Sequence, residues 1–247
     1  MRVVLHTCKT IILSTVLIAT SIGMFAPMTH AATEKESLRL SARASYYGQV
    51  ENGKPNGTGT IRWGDSKSYA GQWVDGIRQG TGKYVNRYTI KGRTFVVTYK
   101  GEWSKDQRNG LGEVRQTIKS KAGQIEANLI QQGQFENDVF KKGYTVTQAL
   151  ADPAFSFNYK DSDTWLQIYG DNQNISQYWA TGKFTQIQYR KGKIDKEYSI
   201  FPEKDSAKQL ENQANLKYFK KIQPQVSTYL KTFQTLSIKV PVTSSSN

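Results

Sequence analysis

A repeated pattern of glycine and aromatic residues between Tyr46 and Gly143 constrains the fold of this chain more than any other feature of its sequence. Each unit has an aromatic residue two positions before a glycine, then a turn, then two glycines separated by one residue. The repeat positions are Tyr46, Gly48, Gly57 and Gly59; Tyr69, Gly71, Trp73, Gly80 and Gly82; and Tyr99, Gly101, Trp103, Gly110 and Gly112. A weaker fourth unit has Gly133, Phe135 and a shifted Gly143. Such self-similarity predicts a repeat architecture.

The spacing within each unit predicts a β-hairpin. Residues two apart in a strand share a face, so the tyrosine, the glycine and the tryptophan of a unit point to the same side. Asn52-Gly53 and Asp75-Gly76 favour two-residue turns, whereas Asp106 stands at the turn glycine's position in the third unit. We expect the paired glycines to leave room for aromatic rings on the neighbouring strand. Because one hairpin buries little, the hairpins are expected to stack into an elongated, twisted sheet.

The spacing between units predicts two hairpins that are longer than the first. Gly48 and Gly71 are 23 residues apart, whereas the next steps, to Gly101 and to Gly133, take 30 and 32 residues. We expect the additional residues to extend one hairpin around Lys91-Gly92 and another around Ser120 to Gly123.

These units resemble the MORN (membrane occupation and recognition nexus) repeat, which reads Tyr-x-Gly-x-Trp, a turn, and then Gly-x-Gly. The resemblance extends from Tyr46 to about Gly143, under half of the chain, and the first three units carry it. It implies a row of β-hairpins used for scaffolding or binding and not for catalysis, with a preference for anionic lipid in some members. The family often has a histidine where this chain has Asn56, Gln79 and Asn109.

The first 31 residues are typical of a secretory signal. Arg2 and Lys9 supply positive charge, an apolar run follows from Ile11 to Phe25, and small residues end the segment at Ala31. Cleavage there predicts an extracytoplasmic protein, either secreted or associated with the envelope. The alternative is an uncleaved single-span anchor, since the apolar stretch approaches the length that crosses a bilayer.

Removal of this segment would leave a chain without several reactive side chains. Cys8, His6 and His30 are the only cysteine and histidines, and all three methionines also lie before residue 32. The remainder has no thiol nucleophile, no Ser-His-Asp relay and no nitrogen or sulfur ligands for zinc. We therefore predict no catalytic residue, no metal site and no cofactor, and we expect the protein not to be an enzyme.

The net charge predicts an anionic partner. The full chain carries +14, and loss of Arg2 and Lys9 leaves +12. A basic surface attracts phospholipid headgroups, anionic wall polymers or nucleic acid, of which nucleic acid is the least expected, and a protein partner that the sequence does not identify is also expected. The alternative is that the excess of lysine serves only solubility. The oligomeric state is not predicted.

The second half begins with short strands. The pattern predicts them at Ala154 to Lys160, Trp165 to Tyr169, Ser176 to Trp179, Phe184 to Tyr189 and Tyr198 to Phe201. Turns are expected near Gly182 and at Lys191-Gly192. These strands either continue the sheet of the repeats or form a small separate unit.

A helix is predicted after these strands. Ser206 and Gln209 form a capping-box pattern. The apolar residues at helical spacing are Leu210, Ala214, Tyr218, Ile222, Val226, Tyr229, Leu230 and Phe233. Pro224 is expected to kink or split the helix. The opposite face is basic, with Lys208, Lys217, Lys220, Lys221 and Lys231 as possible contacts to an anionic surface. The competing interpretation is an ordinary amphipathic helix packed on the sheet.

The predicted fold class is mainly β: a sheet of MORN-type hairpins, followed by further strands and a C-terminal α-helix. The predicted segments are 1–31 (signal peptide), 32–45 (linker or N-terminal cap), 46–144 (repeats), 145–203 (β extension), 204–236 (helical segment) and 237–247 (tail).

Three functional hypotheses follow. The first is a non-catalytic exported scaffold that contacts a protein, an anionic membrane or the envelope through an aromatic and basic face. The second is a carbohydrate or wall-polymer binding module whose repeat aromatics, Tyr46, Tyr69, Trp73, Tyr99 and Trp103, stack on sugar rings. The third is a glycoside hydrolase that uses a carboxylate pair, Asp161 and Asp163 beside Trp165, or Glu102 beside Trp103.

Overall fold

The computed structural model describes residues 34–171, 173–201 and 204–241. The predicted signal peptide and the end of the predicted tail lie outside these residues. Within them, no helix has both the length and the apolar character needed to cross a membrane.

Thirteen strands form most of the structure. Their bounds are Lys35–Arg39 (β1), Ala44–Glu51 (β2), Lys54–Trp63 (β3), Lys67–Val74 (β4), Ile77–Ile90 (β5), Arg93–Ser104 (β6), Gln107–Lys119 (β7), Ile125–Glu136 (β8), Val139–Ala149 (β9), Phe155–Lys160 (β10), Thr164–Gly170 (β11), Gln186–Lys191 (β12) and Ile194–Ser199 (β13). Together they make one antiparallel sheet in which every strand pairs with its neighbours in sequence. The strands of the second half therefore continue the sheet of the repeats. β1 lies in the segment predicted as linker or N-terminal cap, where it pairs with β2.

The turns of the hairpins follow the sequence prediction. Asn52 and Gly53 have φ of 51° and 72°, which is the left-handed conformation that two-residue hairpin turns require. The third unit makes the same turn without glycine, since Lys105 and Asp106 adopt φ of 50° and 66°. The longer hairpins are also confirmed, because β5 and β6 meet at Lys91-Gly92 and the loop between β7 and β8 spans residues 120–124.

Three helices follow the repeats: Ile175–Thr181 (α1), Ser206–Lys221 (α2) and Gln223–Ile238 (α3). The prediction of a strand at Ser176 to Trp179 is wrong, because α1 occupies it. Ile175 and Trp179, four residues apart, are buried on one helical face, and Trp179 Nε1 donates a hydrogen bond to Phe219 O at 3.0 Å. Gly182 ends the helix with φ of 73°.

The C-terminal helix is split as Pro224 predicted, with α2 ending at Lys221 and Pro224 in the first turn of α3. The predicted capping box is wrong. Asp205 is the N-cap residue, and its carboxylate accepts hydrogen bonds from the backbone amides of Ala207 and Lys208 at 2.8 and 3.1 Å. The predicted apolar stripe is also displaced in α2. Leu210 is 68% exposed, and Phe219 is buried on the face that packs inward.

The sheet carries a hydrophobic core on each of its two faces. The first core contains the repeat aromatics together with Val50, Ile61 and Val114. The second core lies under the helices and contains residues of β9 to β12, such as Val146 and Phe157. Strand β8 takes part in both, because Leu129 packs against the first core and its neighbour Ile130 belongs to the second. Successive residues of a strand point to opposite faces, so the covered face changes at β8.

The sheet edge at β13 is capped by side chains of α2. Asn212 Oδ1 accepts a hydrogen bond from Ser199 N at 3.0 Å, and its amide nitrogen donates to Ser199 O at 2.7 Å. Asn215 donates to Glu197 O at 2.9 Å. These bonds satisfy backbone groups that an edge strand otherwise leaves open to pairing with another chain.

Candidate binding groove

The repeat aromatics form one continuous column on the first face of the sheet. Tyr69 contacts Trp73 and Trp103 edge to face, with ring centroids 5.1 Å apart in both pairs. Tyr99 continues the column with centroid distances of 5.3 Å to Trp103 and 5.2 Å to Phe135. Each repeat is therefore joined to the next by the geometry that aromatic quadrupoles favour.

A row of paired glycines lies under this column. It crosses β2 to β9 through directly paired residues, which are Gly48, Gly59, Gly71, Gly82, Gly101, Gly112, Gly133 and Gly143. The Tyr69 ring covers Gly71 and Gly82, and a Cβ on Gly71 would lie 2.5 Å from Tyr69 Oη. The hydroxyl of Tyr69 donates to Gln72 O at 3.1 Å, and burial raises the pKa of Tyr69 to about 12. This row confirms that the glycines make room for the rings.

The first glycine of each Gly-x-Gly pair, such as Gly80, does not make room for an aromatic ring, although we predicted that it does. Gly80 has φ of 73°, and a Cβ there would meet the side chain of Gln72 and not an aromatic ring. Gln72 Oε1 accepts a hydrogen bond from Thr81 N at 2.6 Å, and Gln49 makes the same bond with Thr58 N at 2.6 Å. These glutamines hold the bulge at which the hairpin strands shift register.

Arginine clamps join successive hairpins where the turn glycine is missing. Arg78 Nε donates to Asp106 Oδ1 at 2.9 Å and its Nη2 donates to Asp106 O at 2.6 Å. Its guanidinium also lies 4.4 Å from the centroid of the Trp103 ring. Arg108 makes the same bonds with Asp138, at 2.9 and 2.6 Å. Asp106 thus replaces the turn glycine and gains an ion pair with the preceding unit.

The aromatic rings of the column are buried, so they are not available to stack on sugar rings. Tyr69 is 0% exposed, and Trp73 and Trp103 are 4% and 5% exposed. Trp73 Nε1 and Trp103 Nε1 donate to the backbone oxygens of Gly59 and Gly82 at 3.1 and 3.3 Å. These rings are core, so the expectation of an aromatic contact surface built from them is wrong.

The opposite face of the repeats is open and contains a groove. The directly paired residues Ala70, Lys83 and Lys100 share this face with Tyr144, which packs under the helices. The groove has a volume of about 1030 Å³ and runs from β4 to β10, with the backbone of the glycine row as its floor. At a strand spacing of about 4.8 Å it is roughly 30 Å long. The lining residues are Ala70, Thr81, Gly82, Lys83, Lys100, Gly101, Leu111, Gly112, Glu113, Gln132, Gly133, Gln134, Lys142, Gly143, Tyr144, Tyr159 and Thr232. We call it the central groove.

The central groove has an excess of positive charge. Within the described parts of the chain, no carboxylate lies within ion-pair distance of Lys83, Lys100 or Lys142. Glu113, the acidic residue of the lining, is engaged with Arg115 Nε at 2.7 Å. Three ammonium groups without an ion pair therefore line the groove, and the charge of Lys142 also helps to lower the pKa of the nearby Asp161.

An aromatic wall closes the groove beside the helices. The rings of Tyr144 and Tyr159 lie 4.9 Å apart, and Tyr229 lies 4.4 Å from Tyr159. Tyr159 Oη donates to Asp161 Oδ2 at 2.7 Å. Burial, together with this bond to a carboxylate, raises the pKa of Tyr159 above its ordinary value. Burial also opposes ionisation of Asp161, but the hydrogen bonds that it accepts from Tyr159 and the amides of Asp163 and Thr164 outweigh it and lower the pKa of Asp161.

Neither of the predicted carboxylate pairs lines the central groove. Asp161 is committed to the turn between β10 and β11, where it accepts hydrogen bonds from Asp163 N and Thr164 N at 2.9 and 2.7 Å. Glu102 is exposed, whereas Trp103 is buried on the other face. Among the described residues, no group of three or more His, Cys, Asp or Glu side chains is arranged to hold a metal ion.

The predicted helical lysines are all exposed. They are Lys208, Lys217, Lys220 and Lys221 on α2 and Lys231 on α3. The groove lysines were not predicted as binding residues. A signal for them exists in the sequence, because Lys83, Lys100 and Lys142 each adjoin a repeat glycine and must therefore face away from the aromatic column.

The fold and the groove define a class: a β-hairpin repeat protein with a buried aromatic column on one face and an open, basic groove on the other. The MORN repeat family model matches residues 46–68, 69–86 and 99–114. The chain therefore contains MORN repeats, which are generally a non-enzymatic module used for scaffolding or binding. The fourth hairpin lies beyond these matches, although it continues the aromatic column and the arginine clamps.

The chain is similar in sequence to Alsin from Homo sapiens, Mus musculus and Rattus norvegicus. The identity is 35% over 69 residues, which is 28% of this chain and 4% of each relative. The chain thus spans a small fraction of the length of the curated relatives that it matches.

Proposed function

We propose that this protein is a non-catalytic scaffold whose central groove binds an acidic segment of a partner protein. The observation that carries this proposal is the set of three unpaired lysines along a groove of about 1030 Å³. Because the repeat aromatics are buried in the core, the groove is a large concave surface that remains open to a ligand.

The groove also suggests the form of the ligand. Leu111 is 62% exposed in the lining, and Tyr144 in the wall is half-buried, so apolar side chains of a ligand have surfaces to cover. A length of roughly 30 Å accommodates about nine residues of extended chain. The proposed ligand is therefore a short acidic peptide with a few apolar side chains.

Selection from a peptide display library, followed by affinity measurement, tests this function. We expect enrichment of peptides rich in Asp and Glu, and about tenfold weaker binding when Lys83→Glu and Lys100→Glu are combined. The matched control combines Lys91→Glu with Lys121→Glu, at two exposed hairpin loops outside the groove. It changes the net charge by the same amount and should leave the affinity unchanged. Enrichment of basic peptides, or equal loss in both double variants, would reject the proposal.

The exposed lysines of α2 and α3 favour a second candidate function, contact with an anionic lipid or wall polymer. Near an anionic membrane each lysine that contacts the surface contributes about 1 kcal/mol, so a few of them suffice for reversible attachment. Cosedimentation with anionic vesicles or with purified wall material should fall at high salt and with Lys217→Glu and Lys221→Glu. Salt-resistant cosedimentation would argue against it. Both functions agree with export through residues 1–31, which N-terminal sequencing of the native protein tests.

A further inference from the structure

A second depression lies at the N-terminal end of the open face, where the turn after β1 approaches the turn after β3. Its volume is about 830 Å³, and Arg39, Arg43 and Arg62 line it. Arg39 and Arg62 both pair directly with Ser45, so the two arginines stand on either side of this serine on one face. Two strand spacings put their Cα atoms about 10 Å apart, within reach of a shared ligand. We call this the arginine depression.

Backbone hydrogen bonds fix the third arginine in place. The amide of Leu40 donates to Ala44 O at 2.9 Å, which closes the turn that carries Arg43. Gly64 N donates to Arg43 O at 2.9 Å and ties this turn to the one after β3. The backbone of the turn that carries Arg43 is therefore hydrogen-bonded both to the first residue of β2 and to the turn after β3.

These arginines differ from most others in the chain. Arg78, Arg93, Arg108, Arg115 and Arg190 each form an ion pair with a carboxylate. Across residues 34–171, 173–201 and 204–241, none is found for Arg39, Arg43 or Arg62. The acidic residue that lines the depression is Asp65, so an excess of two positive charges remains.

Residues with hydroxyl groups line the same depression as the three arginines. Ser37, Ser41 and Ser45 also line the depression, and Tyr47 is 57% exposed beside them. Guanidinium groups bind phosphate and sulfate through two parallel hydrogen bonds, and hydroxyls donate to the remaining oxygens. A carboxylate offers only one such edge, whereas a phosphate offers several.

We propose that the arginine depression binds a ligand carrying two or more phosphate or sulfate groups. One group sits between Arg39 and Arg62 above Ser45, and a second reaches Arg43. Tyr47 supplies an apolar surface for the organic part of the ligand. This site shares no lining residue with the central groove, so the inference goes beyond the proposed function.

Calorimetry of the full chain with inorganic tripolyphosphate and with orthophosphate tests the site. We expect tripolyphosphate to bind, orthophosphate to bind at least about tenfold more weakly, and Arg39→Gln and Arg62→Gln each to weaken tripolyphosphate about tenfold. Arg87→Gln removes another exposed arginine of the same sheet and should leave binding unchanged. Thermal unfolding of each variant confirms that it is folded.

Vesicles of phosphatidylcholine containing a phosphorylated phosphoinositide then distinguish the source of the phosphate groups. Sedimentation with these vesicles that is lost in Arg62→Gln and competed by tripolyphosphate identifies a lipid headgroup. Tripolyphosphate binding without sedimentation identifies a soluble ligand. The proposal is overturned if the wild-type chain does not bind tripolyphosphate, or if Arg39→Gln and Arg62→Gln bind it as the wild type does. Loss of peptide binding in the groove variants leaves this result unaffected.

Discussion

Substitution of Gly82 by alanine tests the packing of the repeats most directly. The added Cβ would overlap the Tyr69 ring, which is 0% exposed and has no free space to enter. Gly82 does not have a left-handed φ, so the cost is steric and not conformational. Overpacking costs about 1 to 3 kcal/mol, and displacement of the ring also weakens its hydroxyl bond to Gln72 O and its two edge-to-face contacts. We expect a total loss of about 3 to 5 kcal/mol in the free energy of unfolding.

Two further variants isolate this steric effect. Gly53 has φ of 72°, and no atom lies within 4 Å of the position that a Cβ would take, so Gly53→Ala should cost only the left-handed strain of about 1 kcal/mol. In a Tyr69→Ala background the ring is absent, and Gly82→Ala should be nearly neutral. Urea unfolding of the full chain, followed by tryptophan fluorescence, provides the three free energies. A Gly82→Ala cost no greater than that of Gly53→Ala, or unchanged in the Tyr69→Ala background, would refute the reasoning.

The remaining predictions concern other contacts of the sheet. Trp103→Ala should lower the free energy of unfolding by about 3 to 5 kcal/mol, as urea denaturation would show, because the ring is buried. Asp106→Ala should cost about 1 kcal/mol, and a double-mutant cycle with Arg78→Ala should assign most of it to this partly exposed pair. Burial raises the pKa of the Tyr69 hydroxyl to about 12, so this hydroxyl ionises at a lower pH in the unfolded chain than in the folded one. The stability that results is fully present below about pH 10 and should decline toward pH 12, and the decline should be smaller in Tyr69→Phe. Asn212→Ala should uncover the β13 edge and increase concentration-dependent association in analytical ultracentrifugation.

The features predicted correctly from the sequence depend on local chemistry. The turns at Asn52-Gly53 and Lys91-Gly92 follow from dipeptides that accept positive φ, and the glycine row follows from alternation along each strand. Pro224 splits the C-terminal helix for an equally local reason, since it has no amide hydrogen to donate. The single continuous sheet, in contrast, is decided by pairing between strands and was left open by the sequence.

The features that were missed depend on contacts between distant residues. The segment 175–181 is too short for its period to be assigned, and the contact of Trp179 with Phe219 selects the helix. The clamp of Arg78 on Asp106 spans 28 residues, so neither residue indicates the other in the sequence. The glycine beside each groove lysine indicates which face the lysine takes, but pairing between distant strands decides which lysines come together.

The position of β8 between the two cores affects how this protein unfolds. Leu129 and Ile130 are adjacent in the chain, yet they support opposite sides of the sheet. Loss of β8 would remove part of the core under the helices and part of the core of the repeats at the same time. An array of hairpins that meets only its neighbours tends to fray from its ends, whereas this shared strand couples the two halves. Denaturation is therefore expected to be cooperative, with one transition for both halves.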